Sequence, residues 1–193
     1  MKRLLLCAVM ILFGCGPSQP RTEIVFLGDS ITQSWDTAAA FPNLHAINAG
    51  ISGETTSQML LRFDRDVLQQ QPAYLVILGG TNDLLHDVPL SATEANIVQM
   101  IVMARLNGIQ PILCSVLPTS PAWYDERPPQ QIIALNRWLE STAAADGLEF
   151  VNYYPHFLSS DKQLLPGVTL DGLHPNAAGY AIMRPVLRAT TGW

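Results

Sequence analysis

The chain has 193 residues, 48% of them hydrophobic and only 14% charged, with a formal net charge of −5. That length suits one domain with a full hydrophobic core, and that composition excludes an intrinsically disordered chain. The acidic balance argues against a nucleic-acid partner, which calls for a basic patch.

In chain order, Met1-Lys2-Arg3 is a positive n-region, and an apolar run extends from Leu4 to Phe13. Such a run of about ten residues is too short for a bilayer core, which takes about 20. Gly14, Cys15, Gly16 and Pro17 break the pattern, so residues 1–14 read as an export signal. Leu12-Phe13-Gly14-Cys15 resembles the bacterial lipobox, whose cysteine is lipidated and becomes the first residue, although Phe13 is bulkier than the small residue usual there. The resemblance implies a lipid on Cys15, a lipidated tether over residues 15–22, and a place in the cell envelope or periplasm. Gly16 after the cysteine points to outer-membrane sorting in an organism that has such a membrane. A plain secretory signal with an incidental cysteine is the competing reading. Cys7 leaves with the signal, so Cys114 is the one unassigned thiol. It lies in an apolar run and reads as a small core residue, with no disulfide framework.

Residues 23–193 form one domain in which strands and helices alternate. The expected strands are Ile24–Leu27, Leu44–Asn48, Tyr74–Leu78, Pro111–Val116 and Leu148–Val151. Ser91-Ala92-Thr93-Glu94 reads as a capping box, followed at helical spacing by Ile97, Met100, Ile101 and Ala104, with Gly108 as the stop. A second helix is expected over Arg127–Ala145, with Pro128 and Pro129 in its first turn and Gly147 at its end. The last helix is expected over Asn176–Leu187, with Pro185 kinking it or ending it early. This alternation predicts an α/β fold, a three-layer α/β/α sandwich with a flavodoxin-like, five-stranded parallel sheet in order 2-1-3-4-5.

Ligands in such folds bind beyond the C-terminal ends of the strands. Gly28-Asp29-Ser30 follows the first strand there, a glycine turn that presents a serine. The second strand leads into Asn48-Ala49-Gly50-Ile51-Ser52-Gly53-Glu54-Thr55, whose glycines let backbone N–H groups face an anion, with Glu54 opening a helix. Gly79-Gly80-Thr81-Asn82-Asp83 follows the third strand, and the Asn82 amide is a donor suited to a developing oxyanion. Late in the chain stands Asp171-Gly172-Leu173-His174-Pro175. Each segment alone is ordinary turn chemistry. Together they hold a nucleophile, a base with a carboxylate beside it, and oxyanion donors, which are the needs of acyl transfer.

The four segments, in this order, resemble the motif blocks of the SGNH hydrolases, the GDSL esterase/lipase family. The resemblance covers the chain from Thr22 onward and departs from the usual pattern in having Ile31 after Gly-Asp-Ser. It implies Ser30 as nucleophile, His174 as base and Asp171 as its orienting carboxylate, with an oxyanion hole from Ser30, Gly53 and Asn82. It also implies a serine esterase acting on small ester substrates of short acyl chains, acetyl or aryl esters and acetylated glycans among them. Lysophospholipase or thioesterase activity is the alternative within the family, and a non-catalytic glycan-binding module is the alternative outside it.

No cofactor and no metal are expected, because no His, Cys and carboxylate cluster has ligand spacing. Asp29, Asp83 and Asn48 read as turn-formers that bond backbone. His45 reads as a strand histidine, His86 as a pocket-lining candidate and His156 as a loop residue. Trp123 and Tyr124, in the long connection after the fourth strand, are candidates to stack on a sugar or aryl group.

Overall fold

Ile24–Gly28 forms the first strand, β1, and all five residues are buried. In the computed structural model, which describes residues 23–193, β1 lies in a five-stranded sheet with β2 (Ala46–Gly50), β3 (Tyr74–Leu78), β4 (Gln110–Cys114) and β5 (Glu149–Val151). The order is β2-β1-β3-β4-β5 and every pair is parallel, as the alternation predicts. The expected export signal, the lipidation at Cys15 and the tether lie outside the described residues.

Successive residues of β1 serve opposite faces of the sheet. Val25 and Leu27 join Leu75, Ile77 and Leu113 in one core. Ile24 and Phe26 join Val76, Leu78, Ile112 and Cys114 in the other. Both faces of a parallel sheet are covered by helices, which is why its strands read as continuous apolar runs rather than as an alternation. The first face is covered by α3 (Thr56–Leu61), α4 (Phe63–Asp66), α6 (Leu90–Leu106) and α7 (Pro129–Asp146), through Met59, Phe63, Ile97, Met100, Ile132 and Leu135. The second is covered by α8 (Ala177–Thr191) and by the segment holding α1 (Ser30–Gln33) and α2 (Thr37–Ala40), through Met183, Leu187, Trp35 and Phe41. Between β3 and α6 lies α5 (Thr81–Leu85). Among the described residues, no helix is long and apolar enough to cross a membrane.

Several boundaries differ from expectation, each for a local reason. The second strand begins at Ala46, not Leu44, and His45 is exposed just before it. This edge strand is only partly buried, so its apolar pattern does not mark its ends. Helix α6 starts at Leu90 with Pro89 as N-cap, so the expected capping box lies inside the first turn. Within that helix, the Thr93 hydroxyl donates to Asp83 at 3.2 Å. Helix α7 ends at Gly147 as expected. Helix α8 starts after Asn176, whose side chain accepts from Ala178 and Gly179 N–H, and it runs through Pro185 to Thr191. Pro185 sits on the exposed side of the helix, away from the core that the helix covers.

Beyond β4 the chain is held by Asn136 of α7. Its Oδ1 accepts the Val116 N–H at 2.7 Å and its Nδ2 donates to the Val116 carbonyl at 2.9 Å, both buried. These two bonds replace the ladder partners that the end of β4 lacks. Asn136→Ala leaves two buried backbone groups unpaired and is expected to cost roughly 2–5 kcal/mol. The shift in the urea unfolding midpoint measures it, and an unchanged midpoint contradicts this role.

Candidate active site

The register sets the site. Gly28 of β1 pairs with Gly50 of β2 on one side and Leu78 of β3 on the other, so the loops after three adjacent strands leave the sheet at one level. Asp29 caps α1 by accepting the Ile31 N–H at 2.9 Å, the turn role expected of it. Ser30 is therefore the first residue of α1, and its N–H has no partner inside that helix.

The late motif folds back onto this turn. Asp171 uses Oδ1 to accept the N–H groups of Leu173 at 3.0 Å and His174 at 2.8 Å, which closes the loop. Its Oδ2 meets His174 Nδ1 at 2.7 Å. The His174 Nε2 then lies 3.0 Å from Ser30 Oγ. Burial works against the charge of Asp171, but the His174 and Leu173 N–H groups and the His174 ring outweigh it and hold its carboxyl below the usual carboxylate range. An ionised carboxylate only accepts, so Nδ1 carries the imidazole proton and Nε2 offers its lone pair to the serine hydroxyl. Gly172 stands at φ +87, and a Cβ there would collide with the Ser120 side chain.

Gly53 and Asn82 flank β1 from its two neighbours. Gly53 adopts φ +80, and no atom lies within 4 Å of where its Cβ would be, so the space beside its backbone is open. The loop around it is tied down: Ile51 N–H donates to the Gly28 carbonyl at 3.0 Å, and Ser52 N–H to Gln33 Oε1 at 3.0 Å. Asn82 Nδ2 donates to the Glu54 carbonyl at 3.0 Å, joining the two flanking loops. One N–H of the amide is left over for a ligand. The arrangement supplies a hydroxyl with a base, and backbone and amide donors beside it, which is the chemistry of attack on a carbonyl carbon.

Several readings of single residues change. Helix α3 opens at Thr56 rather than at Glu54, because Thr55 is its N-cap, with its N–H bonded to Gln58 Oε1 at 2.9 Å, while Glu54 pairs with Arg62 at 2.6 Å. Arg62 is buried, binds Asp66 at 2.8 Å and also donates to the Gly28 carbonyl at 3.1 Å, holding the end of β1. Asp83 is not a turn-former. Its carboxylate accepts the Thr56 N–H at 2.9 Å, the Thr56 hydroxyl at 2.5 Å and the Thr93 hydroxyl at 3.2 Å, binding α5 to α3 and α6. Asn48 does bond backbone, donating to the carbonyls of Thr32 at 2.7 Å and Trp35 at 2.8 Å. Trp123 is half-buried and turned to the protein, with Nε1 donating to the Asp171 carbonyl at 2.9 Å. Tyr124 borders a small cavity with Pro118, Ile132, Tyr154 and Leu164. His86 and His156 are exposed, His86 at the C-terminus of α5 and His156 in a short turn before Phe157. Burial pushes the Cys114 thiol up to about 12, as befits a core residue.

Sequence reasoning missed Arg127. It is 2% exposed and donates through Nε to Thr81 Oγ1 at 3.1 Å and through Nη2 to Asn82 Oδ1 at 3.4 Å. A single arginine in a polar loop carries no signal that it folds inward.

Comparison with known proteins agrees with this geometry. The model of the GDSL-like Lipase/Acylhydrolase family matches residues 26–182. The uncharacterized lipoprotein YqeF of Bacillus subtilis is 37% identical over 118 residues, 50% of this chain and 49% of that protein. The match thus spans about half of that relative's length. Platelet-activating factor acetylhydrolase IB subunit alpha1 of Pongo abelii is 28% identical over 173 residues, 86% of this chain and 73% of its own. The crystal structure of a GDSL-like lipase from Bacteroides thetaiotaomicron superposes with a TM-score of 0.80 at 38% identity, covering 88% of this chain and 87% of that one.

Asp29 couples the stability of the fold to pH. Burial pushes its carboxyl up to about 7, against the Ile31 N–H and the nearby His174 and Arg127, and Asp83 adds to the rise. The unfolded chain ionises an aspartate near 3.9. The contribution of Asp29 to stability is therefore complete below about pH 4 and is lost as pH rises to about 7. Asp29→Asn keeps the Oδ1 acceptor and cannot ionise. Its stability relative to wild type is expected to rise by up to roughly 4 kcal/mol between pH 4 and pH 8. Urea unfolding across that range measures the difference, and parallel curves for the two proteins contradict it.

Proposed function

The chain belongs to the GDSL-like lipase/acylhydrolase family, and from that premise we propose that it is a serine esterase of short-chain carboxylic esters, acetyl esters above all, acting through an acyl-enzyme on Ser30. The observation that carries the reading is the relay of Ser30 Oγ, His174 and Asp171, with spacings of 3.0 and 2.7 Å. His174 Nε2 takes the hydroxyl proton as Ser30 Oγ attacks the ester carbonyl. The oxyanion of the tetrahedral intermediate is held by the N–H groups of Ser30 and Gly53 and by the free N–H of Asn82. The intermediate collapses, His174 returns the proton to the leaving alcohol, and the acyl group stays on Ser30. A water molecule then attacks the acyl carbonyl and gives its proton to His174, which passes it to Ser30 Oγ as the acyl–oxygen bond breaks and the acid leaves.

Two observations support short acyl groups. The base and its carboxylate are partly open to solvent, with 32% of the His174 side chain and 42% of the Asp171 side chain exposed, so the relay lies near the surface. One relative carries acetylhydrolase in its name. A second reading, a lysophospholipase or thioesterase taking longer chains, is favoured by one feature. An apolar groove of about 580 Å³, lined by Trp35, Ala39, Leu170, Pro175, Tyr180 and Arg184, runs past the two residues that bracket the Asp171–His174 loop. The N-terminal reading belongs to the same proposal: the enzyme is exported and anchored through lipid on Cys15, and one relative carries lipoprotein in its name.

With a series of p-nitrophenyl esters, kcat/KM is expected to be highest for acetate and to fall with chain length, whereas a maximum at long chains supports the groove reading. Ser30→Ala is expected to lower kcat by at least about 1,000-fold and Asn82→Ala by about 100–1,000-fold. Activity retained by Ser30→Ala contradicts the assignment. Mass spectrometry of the protein from its native membrane is expected to find diacylglyceryl on an N-terminal Cys15, and an intact Met1 contradicts the anchor.

A further inference from the structure

The loop between β4 and α7 touches both halves of the candidate site. Ser120 N–H donates to the Gly172 carbonyl at 2.8 Å, and Trp123 Nε1 donates to the Asp171 carbonyl at 2.9 Å. These bonds hold the backbone of the acid–base loop from outside. The Arg127 N–H donates to the Trp123 carbonyl at 2.8 Å, and the guanidinium carbon lies 5.0 Å from the centre of the Trp123 ring. From there the side chain turns inward to Thr81 and Asn82.

The chemistry of these partners leaves Asn82 one orientation. Arginine has only donors, so the amide atom that faces Nη2 must be the oxygen. The Glu54 carbonyl only accepts, so the atom facing it must be the nitrogen, at 3.0 Å. Both ends select the same flip, with one N–H on Glu54 and the other free. Arg127 itself is 2% exposed, and its Nη1 is buried without a hydrogen-bond partner among the described residues. A side chain so buried acts on the reaction through the groups that it touches. Its nearby charges are carboxylates, Glu126, Asp29 and Asp171. They only partly offset the cost of burying this cation, which otherwise lies against neutral hydroxyl, amide and indole groups and whose pKa burial lowers.

We propose that Arg127 is a positioning residue for the oxyanion site, fixing the Asn82 amide with its nitrogen toward the reacting carbonyl and tying that donor, through Trp123, to the loop that carries Asp171 and His174. The proposal deepens the esterase reading and rests on it for its kinetic consequence. The oxyanion forms only after attack, so loss of the clamp acts on the transition state and leaves ground-state binding alone. The fixed amide and the charge behind it strengthen a buried donor.

The test compares Arg127→Met, Arg127→Lys, Thr81→Val and Asn82→Ala with p-nitrophenyl acetate. Arg127→Met is expected to lower kcat about 10–100-fold with KM within twofold, given the 100–1,000-fold scale of losing the donor itself. In the Asn82→Ala background the same change is expected to cost less than about threefold, because the group it positions is already gone. Arg127→Lys restores charge without the planar fork and is expected to recover only part of the loss. Thr81→Val, which removes one anchor and keeps the shape, is expected to lower kcat a few-fold at constant KM, and it decides the matter if Arg127→Met does not fold. A loss confined to KM, equal losses in both backgrounds, or wild-type kcat in Arg127→Met or Thr81→Val overturns the proposal. A separate readout needs no turnover: the Asn82 side-chain amide signals in 1H–15N spectra are expected to be protected from exchange in wild type and to lose that protection in Arg127→Met, or in Thr81→Val where Arg127→Met does not fold. If wild type hydrolyses no ester, the esterase reading fails, and the amide spectra still decide the positioning role. Unchanged amide protection overturns it.

Discussion

The hydrogen bond between Ser30 Oγ and His174 Nε2 joins residues 144 positions apart, and the site depends on it. Neither partner can hold that spacing alone. Ser30 is fixed from below because Arg62 bonds the Gly28 carbonyl at the end of β1, and from the side because Asn48 and the Tyr180 hydroxyl bond the carbonyls of Thr32, Trp35 and Ile31. His174 is fixed by its own loop. The Leu170 N–H donates to the His174 carbonyl at 2.8 Å, and Asn176 holds Gly167 and Thr169 while capping α8. The Tyr180 hydroxyl reaches from α8 to α1, so the helix that follows the histidine is bonded directly to the helix that begins with the serine.

Two buried carboxylates beneath the site are handled in opposite ways. Asp83 receives three donors, from Thr56 twice and from Thr93, and serves as a fastener between α5, α3 and α6. Asp29 receives one, from Ile31, and its second oxygen has no partner among the described residues. A buried carboxylate so poorly supplied with donors is held toward its neutral form. The difference separates a residue that fastens helices together from one whose protonation is set by burial rather than by its hydrogen bond. Arg127, buried like Arg62, faces the amide of Asn82 rather than forming a hydrogen bond with either carboxylate.

The sheet order and the four loops at its C-terminal edge were legible because they rest on local signals. Apolar runs mark buried parallel strands, and Gly-Asp-Ser, Gly-Thr-Asn-Asp and Asp-x-x-His carry their chemistry within a few residues. The supporting contacts were not legible, because they join residues far apart whose local sequences are ordinary. Arg62 lies in a run of alternating charges, Arg127 before two prolines, and Asn136 in the middle of a helix. Nothing nearby distinguishes them from solvated residues. Ser91-x-x-Glu94 shows the converse: a good local capping signal falls inside the helix, which starts earlier with Pro89 as its N-cap. Trp123 had the composition of a substrate platform, but the partner for its N–H, the Asp171 carbonyl, lies 48 positions away.

The central claim is that Ser30 carries the acyl group. It is tested most directly by rapid acid quench of the wild-type protein during turnover of p-nitrophenyl acetate, followed by peptide mapping. The account predicts one acetyl group, on Ser30, formed and lost at the rate of turnover. Hydrolysis with no acetyl on Ser30, or with the acetyl on another residue at a competent rate, would contradict it.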